Sequence, residues 1–579
     1  MNRETVKKMI EVASGRLEAD LVIKNAKIVD VYSGLITEGD VAICDHVIAG
    51  VGNYSSSREF DAAGKYLTPG FIDSHIHIES AYVSPEELGK MLVPCGGTTI
   101  IADPHEIVNV CGIDGLDYMM EAAKNTKMDI KFMLPSCVPA TPHEHAGATI
   151  DAAKMQEPIT RTDILGLGEY MNFPGIIYNV ESEIDKIMVA KDHGKLIDGH
   201  APSITGHALN AYTSVGIRTD HECSTVEEMH DRIARGVYVL LRQGSACHDL
   251  RNLLKGVTPQ NSRRCLLCSD DRQPKTILEL GHLDNHLKIC VEEGLDAITA
   301  IQMATINAAE CFGLSDRGAI APGLKADIVL LDDLKDFNVS DVFIDGAHVA
   351  KEKTYLPTFE KHDTAKVKGS VKVKDFSKEK LKFNLKSDRV HVIELIEGSV
   401  VTKKAIETVK VDASGDFVYE AETDIVKMAV VERHQNTGNV ALGLIKGYGI
   451  KKGAIALSIA HDSHNLIVVG VNDDDMALAI ETLIAQEGGV VLVAEGKVLD
   501  SMPMPLGGIM SDQSGEWVKD KLIILHNQAE SELKINPNIE PVMTLCFMSL
   551  AVIPEIKLTD MGLFDVAKFD FISIEADEV

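Results

Sequence analysis

Two histidines separated by a single residue end an apolar stretch near the start of the chain, in the segment Pro69-Gly70-Phe71-Ile72-Asp73-Ser74-His75-Ile76-His77. Side chains alternate across a β-strand, so His75 and His77 lie on one face and can direct both imidazoles to one point. Neutral imidazole nitrogens are common metal ligands. The pair therefore predicts part of a metal site, although two polar residues at a half-exposed strand end would also explain it.

Residues of metal-binding types recur directly after later predicted strands. Asp103-Pro104-His105-Glu106 follows the second strand, Glu169 follows the fourth, and His200 follows the fifth. His221 and Asp270 follow the sixth and the last strand. Loop ends are commonly polar, but imidazoles and carboxylates at so many strand ends are difficult to attribute to chance. The pattern favours a metal centre that is assembled from several strands.

The candidate ligands can be shared between two metal ions. They are His75, His77, Glu169, His200, His221 and Asp270. His75, His77 and Asp270 would hold one ion. His200 and His221 would hold the second ion, and Glu169 would bridge the two ions. Imidazole with carboxylate suits zinc, manganese and iron alike, so the ligand set predicts a binuclear divalent centre without fixing the metal.

Such a centre predicts hydrolytic chemistry. Two ions about 3.5–4 Å apart can jointly activate one water, whose pKa falls towards ~7. Asp270 could take a proton from that water and return it to a leaving group, as general acid–base catalysis requires. Asp270, Glu169 and His221 are therefore the candidate catalytic residues.

The predicted strands and helices that must position these residues have the pattern of a barrel. From Pro69 to about residue 314, apolar strands alternate with helices in about eight βα steps, which matches a (β/α)8 barrel with its active site at the carboxyl ends of the strands. Short β runs precede and follow this region, so the predicted fold is α/β: a (β/α)8 TIM-like barrel inserted in a small β-sandwich domain, with a C-terminal mixed α/β domain. The predicted boundaries are 1–68 and 317–358 for the β domain, 69–316 for the barrel, 359–384 for a linker and 385–579 for the C-terminal domain.

Composition excludes some classes of protein. A formal net charge of −30 disfavours nucleic acid as a partner, because a phosphate backbone would be repelled. The N-terminus lacks the apolar region of a secretory signal, and no stretch reaches the ~20 apolar residues that a membrane helix needs. Eleven scattered cysteines, an odd number, are more typical of reduced thiols than of a disulfide framework. We therefore predict a soluble cytoplasmic protein that acts on a small molecule, without a membrane or nucleic-acid partner.

Several motifs resemble known hydrolases. The His-x-His after Pro-Gly-Phe-Ile-Asp and the later Gly-Ala-Ile-Ala-Pro-Gly-Leu-Lys-Ala-Asp-Ile-Val resemble the amidohydrolase superfamily. More specifically, the chain resembles the bacterial and archaeal adenine deaminase family along nearly its whole length. The motifs that carry this second resemblance are Pro69–Ser80, Asp103–Val110, Gly168–Gly175, Asp198–Pro202, Ser269–Arg272, Ala460–Asn465 and Pro505–Asp512. The last two lie in the C-terminal domain, which most amidohydrolases lack.

The resemblance implies an activity and its requirements. Metal-activated hydroxide would attack C6 of adenine and release ammonia, giving hypoxanthine. Manganese or iron is the metal expected for the family, with zinc as a further option, and a homodimer or larger assembly is implied. Many amidohydrolases bridge their metals with a carboxylated lysine, whereas here the corresponding strand ends in Glu169. That difference disfavours the main alternative, hydrolysis of a cyclic amide or N-acyl amide, and the retained ligands disfavour a non-catalytic scaffold.

Six further residues are candidates for substrate contacts: His105, Glu106, Glu222, Asp271, His461 and His464. Strand-end hydrogen bonding or an additional metal site would equally explain the first two. The segment 461–465 would reach over the barrel mouth as a lid or a second metal-binding patch, and it also fits a polar turn between two strands. Cys265 and Cys268 have the spacing of a zinc half-site, but no second pair accompanies them, so buried structural cysteines are favoured. The loop from Arg433 to Asn439 carries one residue more than the family pattern, which could alter the substrate fit.

Overall fold

Helix α1 (Arg3–Ala13) begins the fold, and the computed structural model describes residues 2–576. Asn2 caps this helix, because its Oδ1 accepts the backbone N–H of Thr5 at 2.9 Å. Five strands follow, namely β1 (Leu21–Asp30), β2 (Leu35–Cys44), β3 (Val47–Gly52), β4 (Glu59–Asp61) and β5 (Tyr66–Pro69). Strand β1 pairs antiparallel with β2 and parallel with β5. Strand β5 then leads, through Gly70, into the strand that carries the histidine pair.

Eight short strands follow, and every pairing among them is parallel. They are β6 (Phe71–Ile76), β7 (Gly97–Ala102), β8 (Asp129–Leu134), β9 (Ile164–Tyr170), β10 (Leu196–Gly199), β11 (Thr219–Asp220), β12 (Tyr238–Arg242) and β13 (Cys265–Cys268). Strands β6–β10 form one sheet and β11–β13 another. Backbone hydrogen bonds join the two sheets at both seams: Arg218 N–H donates to Ile197 at 2.8 Å, and Asp270 N–H donates to His75 at 2.9 Å. The carboxyl ends of all eight strands therefore meet on one side.

Helices connect these strands and cover them. They are α2 (Pro85–Leu92), α3 (His105–Cys111), α4 (Ile113–Ala123), α5 (Ala152–Met155), α6 (Phe173–Ile177), α7 (Glu181–Asp192), α8 (Gly206–Ser214), α9 (Val226–Ala234), α10 (Leu250–Leu253), α11 (Pro274–Leu280), α12 (Leu283–Glu292), α13 (Ala297–Met303) and α14 (Ile306–Phe312). The sequence predicts the sixth strand over residues 217–219, whereas the observed strand β11 covers only Thr219 and Asp220. Its residue-by-residue pairing with β12 joins Thr219 to Tyr238 and Asp220 to Val239.

The chain then returns to the first sheet through β14 (Ile328–Leu331), β15 (Val339–Ile344), β16 (Ala347–Lys351) and β17 (Thr354–Tyr355). Strand β14 pairs antiparallel with β5, so strands from both ends of the barrel segment form one nine-stranded sheet. The sequence predicts a β-sandwich here, and in the structure these strands form one continuous hydrogen-bonded sheet. The reason is the β5–β14 ladder, which continues the hydrogen bonding between the two halves. One face buries an apolar cluster that includes Ile23, Ile28, Ile328 and Leu330.

The predicted linker, residues 359–384, is fully described and contains neither an α-helix nor a strand. Two 3₁₀ turns, Ala365–Val367 and Lys378–Leu381, are its regular structure. Val367 and Leu381 are fully buried, and the Val367 carbonyl accepts the Gly507 N–H at 2.6 Å. The segment is therefore irregular in conformation but packed against the C-terminal region.

The C-terminal region is built on an eight-stranded sheet. Its strands are β18 (Arg389–Leu395), β19 (Thr402–Thr408), β20 (Ile425–Val431), β21 (Val440–Lys446), β22 (Ala454–Leu457), β23 (Leu466–Gly470), β24 (Gly489–Ala494) and β25 (Lys497–Pro503). The remaining elements are α15 (Asp473–Ala485), α16 (Gly515–Ser531), α17 (Pro541–Cys546), β26 (Ile556–Thr559), β27 (Gly562–Asp565) and β28 (Asp570–Phe571). Helix α15 packs Met476, Ile480 and Leu483 onto this sheet. Among residues 2–576, no helix has the length and apolar character needed to cross a membrane.

Candidate metal centre and active site

His75 and His77 direct their Nε2 atoms to a common point at the carboxyl end of β6. His77 Nδ1 lies 2.9 Å from the carbonyl oxygen of Asp103, and His75 Nδ1 lies 3.0 Å from Asp198 Oδ2. A carbonyl or carboxylate oxygen only accepts a hydrogen bond, so each Nδ1 is the donor and each Nε2 faces the interior of the cluster. The two Nε2 atoms lie 3.2 Å apart. Both Nε2 atoms are therefore close enough to bind one cation, with each ring oriented through its other nitrogen.

Asp270 completes this group from the end of β13. Its backbone adopts φ +58°, in the left-handed region, which costs a non-glycine residue roughly 1–2 kcal/mol. Hydrogen bonds to β6 hold it there: its N–H donates to the His75 carbonyl, and its carbonyl accepts the His77 N–H at 3.3 Å. Asp270 Oδ1 consequently lies 3.1 Å from His77 Nε2 and 3.6 Å from His75 Nε2. Its other oxygen, Oδ2, accepts a hydrogen bond from Arg242 Nη1 at 2.9 Å.

Glu169 lies between this group and a second pair of imidazoles. Its backbone N–H donates to Asp103 Oδ2 at 2.8 Å, which fixes the end of β9. Glu169 Oε1 lies 3.6 Å from His77 Nε2. Glu169 Oε2 lies 2.8 Å from His200 Nδ1 and 3.1 Å from His221 Nε2. The two carboxylate oxygens therefore face different imidazole groups, which is the geometry required of a bridging ligand.

The electrostatics of the cluster favour added positive charge. Burial alone would raise the pKa of Glu169, but His200 and His221 lower this pKa well below its usual range. Burial likewise opposes ionisation of Asp270, yet His77 and Arg242 hold the pKa of Asp270 well below its usual range. Burial alone would lower the pKa of His221, whereas Glu169 raises it to about 10. Ionised carboxylates that stabilise protonated imidazoles would also stabilise a bound metal ion in their place.

The structure thus brings together all six residues that the sequence predicts as metal ligands, and their donor types fit divalent metal ions. His105, predicted as a substrate contact, also belongs to this cluster. Its Nδ1 lies 3.1 Å from Glu169 Oε1, within ligand distance of the same centre.

A cavity of about 420 Å³ lies above the cluster. Its polar floor is formed by residues at strand ends. Its apolar wall comes partly from the barrel and partly from C-terminal residues, including Met171, Phe173, Phe547, Leu550, Val552 and Ile553. A cavity with a polar floor and an apolar wall is typical of a small-molecule binding site.

Four of the other predicted substrate contacts, Glu106, Glu222, Asp271 and His461, line this cavity together with His105. His464, the sixth predicted substrate contact, is not among the residues that line this cavity. Its side chain is fully buried, and its Nε2 lies 3.7 Å from Glu106 Oε2, behind the cavity wall.

The prediction omits several cavity residues, and three of them contact a predicted site residue. Arg242 ends β12 and contacts Glu222, Asp249 and Asp270. Its position at a strand end is the signal that could have identified it. Asp462 lies within a segment that the sequence singles out, with Oδ1 3.8 Å from His105 Nε2. Phe547 stacks on His461 with ring centroids 4.8 Å apart, and no local pattern marks it.

The loop with the additional residue does not reach the cavity. His434 Nε2 lies 2.6 Å from the Ser463 carbonyl, and Gln435 donates to the Ala146 carbonyl at 3.1 Å. The loop therefore packs against the segment 461–465 on the side that faces away from the cavity. Cys265 and Cys268 are both buried and free, and they pack into different apolar clusters, as expected for structural cysteines.

Comparison with known proteins identifies two matching families. Residues 66–349 match the amidohydrolase family, and residues 399–570 match the adenine deaminase C-terminal domain. The first match contains every residue of the metal cluster, and the second contains the segment 461–465 and Phe547.

Curated relatives match over the full length. A protein of Desulfotalea psychrophila named adenine deaminase 2 is 66% identical over 576 residues, covering 100% of both chains. A protein of Ligilactobacillus salivarius named adenine deaminase is 52% identical over 578 residues, again covering 100% of both chains. Because the similarity is high, spans both regions and includes the specific C-terminal domain, the chain belongs to the adenine deaminase family.

Proposed function

We propose that the chain hydrolyses adenine to hypoxanthine and ammonia. The observation that carries this proposal is the imidazole–carboxylate cluster at the floor of a cavity that the C-terminal region helps to enclose, in a full-length member of the adenine deaminase family. Water would add to C6, and the C6–N6 bond would break with release of ammonia.

The six clustered residues would hold two divalent ions, with Glu169 as the bridge. His75, His77 and Asp270 would bind one ion, and His200 and His221 the other. When bound, such a pair supplies Lewis-acid stabilisation and lowers the pKa of a water towards ~7. Manganese or iron is the proposed metal, with zinc as an option that the ligand types also allow.

Asp270 would move the proton. Its carboxylate is positioned between the cluster and Arg242, so it can accept a proton from the attacking water and return it to the departing nitrogen. Arg242 holds Oδ2 in place and favours the ionised carboxylate that must accept the proton. Glu169 and His221 would orient the water at the base of the cavity.

The cavity wall would hold the purine ring. Phe173, Phe547 and Leu550 offer apolar surface, while Glu222, Asp271, Glu106, His105 and His461 offer polar groups for ring nitrogens. Aromatic and aliphatic side chains stabilise a planar ring through dispersion and stacking.

The experiment measures ammonia release from adenine and adenosine and chloride release from 6-chloropurine, with ring opening of dihydroorotate and a hydantoin as the competing reactions. Manganese-loaded protein should release ammonia from adenine, and a chelator should abolish the release. Turnover of dihydroorotate or a hydantoin without ammonia from adenine would refute the proposal.

We also propose the domain division predicted from the sequence, with a closed barrel over 69–316, the β domain over 1–68 and 317–358, a linker over 359–384 and a C-terminal domain over 385–579. A cytoplasmic location is proposed because all eleven cysteines are free. A homodimer or larger assembly is proposed from the family, and light scattering on the purified protein would measure its mass.

A further inference from the structure

Glu106, His461 and His464 converge at the wall of the cavity, which the first two residues line. Glu106 lies in the first turn of α3, and both histidines lie in the segment between β22 and β23. Glu106 Oε1 lies 3.7 Å from His461 Nδ1, and Glu106 Oε2 lies 3.7 Å from His464 Nε2. All three side chains are buried, with exposures of 1%, 7% and 0%. The fold therefore brings one carboxylate of the barrel to two imidazoles of the C-terminal region.

Within residues 2–576, three polar atoms of this trio lack hydrogen-bond partners. Glu106 Oε2 and both ring nitrogens of His464 are buried and unpaired. An unpaired buried polar group costs roughly 1–3 kcal/mol, more when charged. The 3.7 Å separations are too long for direct hydrogen bonds. The arrangement is therefore not explained by the three side chains binding one another.

Acidic neighbours increase the need for positive charge. Ser80 Oγ lies within hydrogen-bond distance of Glu106 Oε1, at 3.2 Å, and also of Asp271 Oδ1. A hydroxyl carries one hydrogen and can donate to only one of these oxygens at a time. Glu79 Oε2 is a further buried, unpaired carboxylate oxygen in the same region. No Lys or Arg pairs with Glu106 among the ion pairs of the described residues.

We propose that Glu106, His461 and His464 bind a further divalent cation, distinct from the pair held around Glu169. One carboxylate and two imidazoles are the ligand types of zinc, iron and manganese sites. Two ligand atoms bound tetrahedrally at ~2.0–2.2 Å lie about 3.4 Å apart, close to the separations observed here. Glu106 and His461 also line the cavity, so the ion would keep an open side towards the substrate space.

This site shares no ligand with the cluster around Glu169, but it is connected to it. His105 Nδ1 lies 3.1 Å from Glu169 Oε1, and His105 Nε2 lies 3.8 Å from Asp462 Oδ1. Asp462 Oδ1 in turn lies 3.8 Å from His461 Nδ1. A cation at the new site would therefore fix the segment 461–465 against the barrel and hold Asp462 beside His105.

The test is metal stoichiometry of the full-length protein. Chelator-stripped protein is titrated with Mn²⁺, and tightly bound metal is counted by electron paramagnetic resonance and elemental analysis. Glu106→Gln and His464→Asn should each lose one ion per chain relative to the parent. Glu144→Gln is the matched control: Glu144 is a buried carboxylate beside Asp462 that does not belong to the trio, so this variant should retain the parent's metal count.

Crystals of the Mn²⁺-loaded parent supply the second measurement, because anomalous scattering should show a peak between the three side chains. Equal metal counts in the parent and both variants, or no such peak when the cluster around Glu169 is occupied, would overturn the proposal. Loss of all metal from both folded variants would also overturn it, because Glu106 and His464 would then support the main cluster. None of these readouts uses adenine, so failure of the proposed activity would leave this test intact.

Discussion

Substitution of Asp270 by asparagine tests the proton-transfer role most directly. The carboxylate uses Oδ1 towards His75 and His77 and uses Oδ2 to accept a hydrogen bond from Arg242. An asparagine has a single side-chain oxygen, so it cannot serve both sides, and its amide cannot accept the proton of the attacking water.

The expected magnitude follows from this geometry. Transfer of a proton by a positioned side chain contributes roughly 10²–10⁴ in rate, which corresponds to ~2.7–5.4 kcal/mol at 1.36 kcal/mol per factor of ten. The fold should survive, because Arg242 keeps Glu222 and Asp249 as partners. The expectation for Asp270→Asn is therefore a folded protein with kcat reduced by at least about 10².

The assay is ammonia release from adenine at saturating Mn²⁺, with bound metal measured on the same sample. Asp327→Asn is the control, since Asp327 is a buried carboxylate directly before β14 that accepts the Asp345 N–H at 2.9 Å. Its rate should be unchanged. A metal-replete Asp270→Asn protein that retains kcat within about tenfold of the parent would refute the reasoning. An unfolded variant would instead show that the charge is required for stability.

Three further predictions concern charged side chains and the bound metal. Arg242→Met should destabilise the protein by roughly 3–5 kcal/mol in denaturant unfolding, because Asp270 and Glu222 lose a buried partner; an unchanged midpoint would contradict this. Burial alone would raise the pKa of Asp129, but Arg317 and neighbouring lysines lower it to about 2. The ionised carboxylate should stabilise the fold by about 2 kcal/mol above pH ~4, and this stabilisation should be lost as the pH falls towards ~2. The stability of Asp129→Asn should therefore change less over this pH range than the stability of the parent. Equal acid sensitivity of the two proteins would argue against this. Chelation should abolish ammonia release and lower the melting temperature. Metal at ~1,000 times its Kd stabilises the folded state by about 4 kcal/mol, and the chelator removes that stabilisation. An unchanged melting temperature after chelation would count against an intact metal centre.

The sequence alone determined the features that depend on local spacing. Alternation along a strand places His75 and His77 on one face, and the βα pattern predicts that residues after successive strands share one edge. Both rules act over a few residues, so the strands from β6 to β13 and the convergence of the six candidate ligands could be predicted. The structure contains these strands close to the predicted positions, apart from the shift at β11.

Tertiary structure decided what depends on contacts between distant segments. Arg242 acquires its role by meeting Glu222 and Asp270, and Asp103 orients His77 through a carbonyl that no side-chain pattern reveals. His464 faces Glu106 rather than the cavity because of how the C-terminal sheet packs on the barrel.

Contacts between distant segments also form the nine-stranded sheet and the cavity wall from residues 547–554. The β5–β14 ladder joins segments more than 250 residues apart, and Phe547 reaches a floor built from β6 to β13. Periodicity identifies which face of an element is apolar, but it carries no information on which distant face will cover it. That choice is made by packing, and it determines the shape of the substrate site.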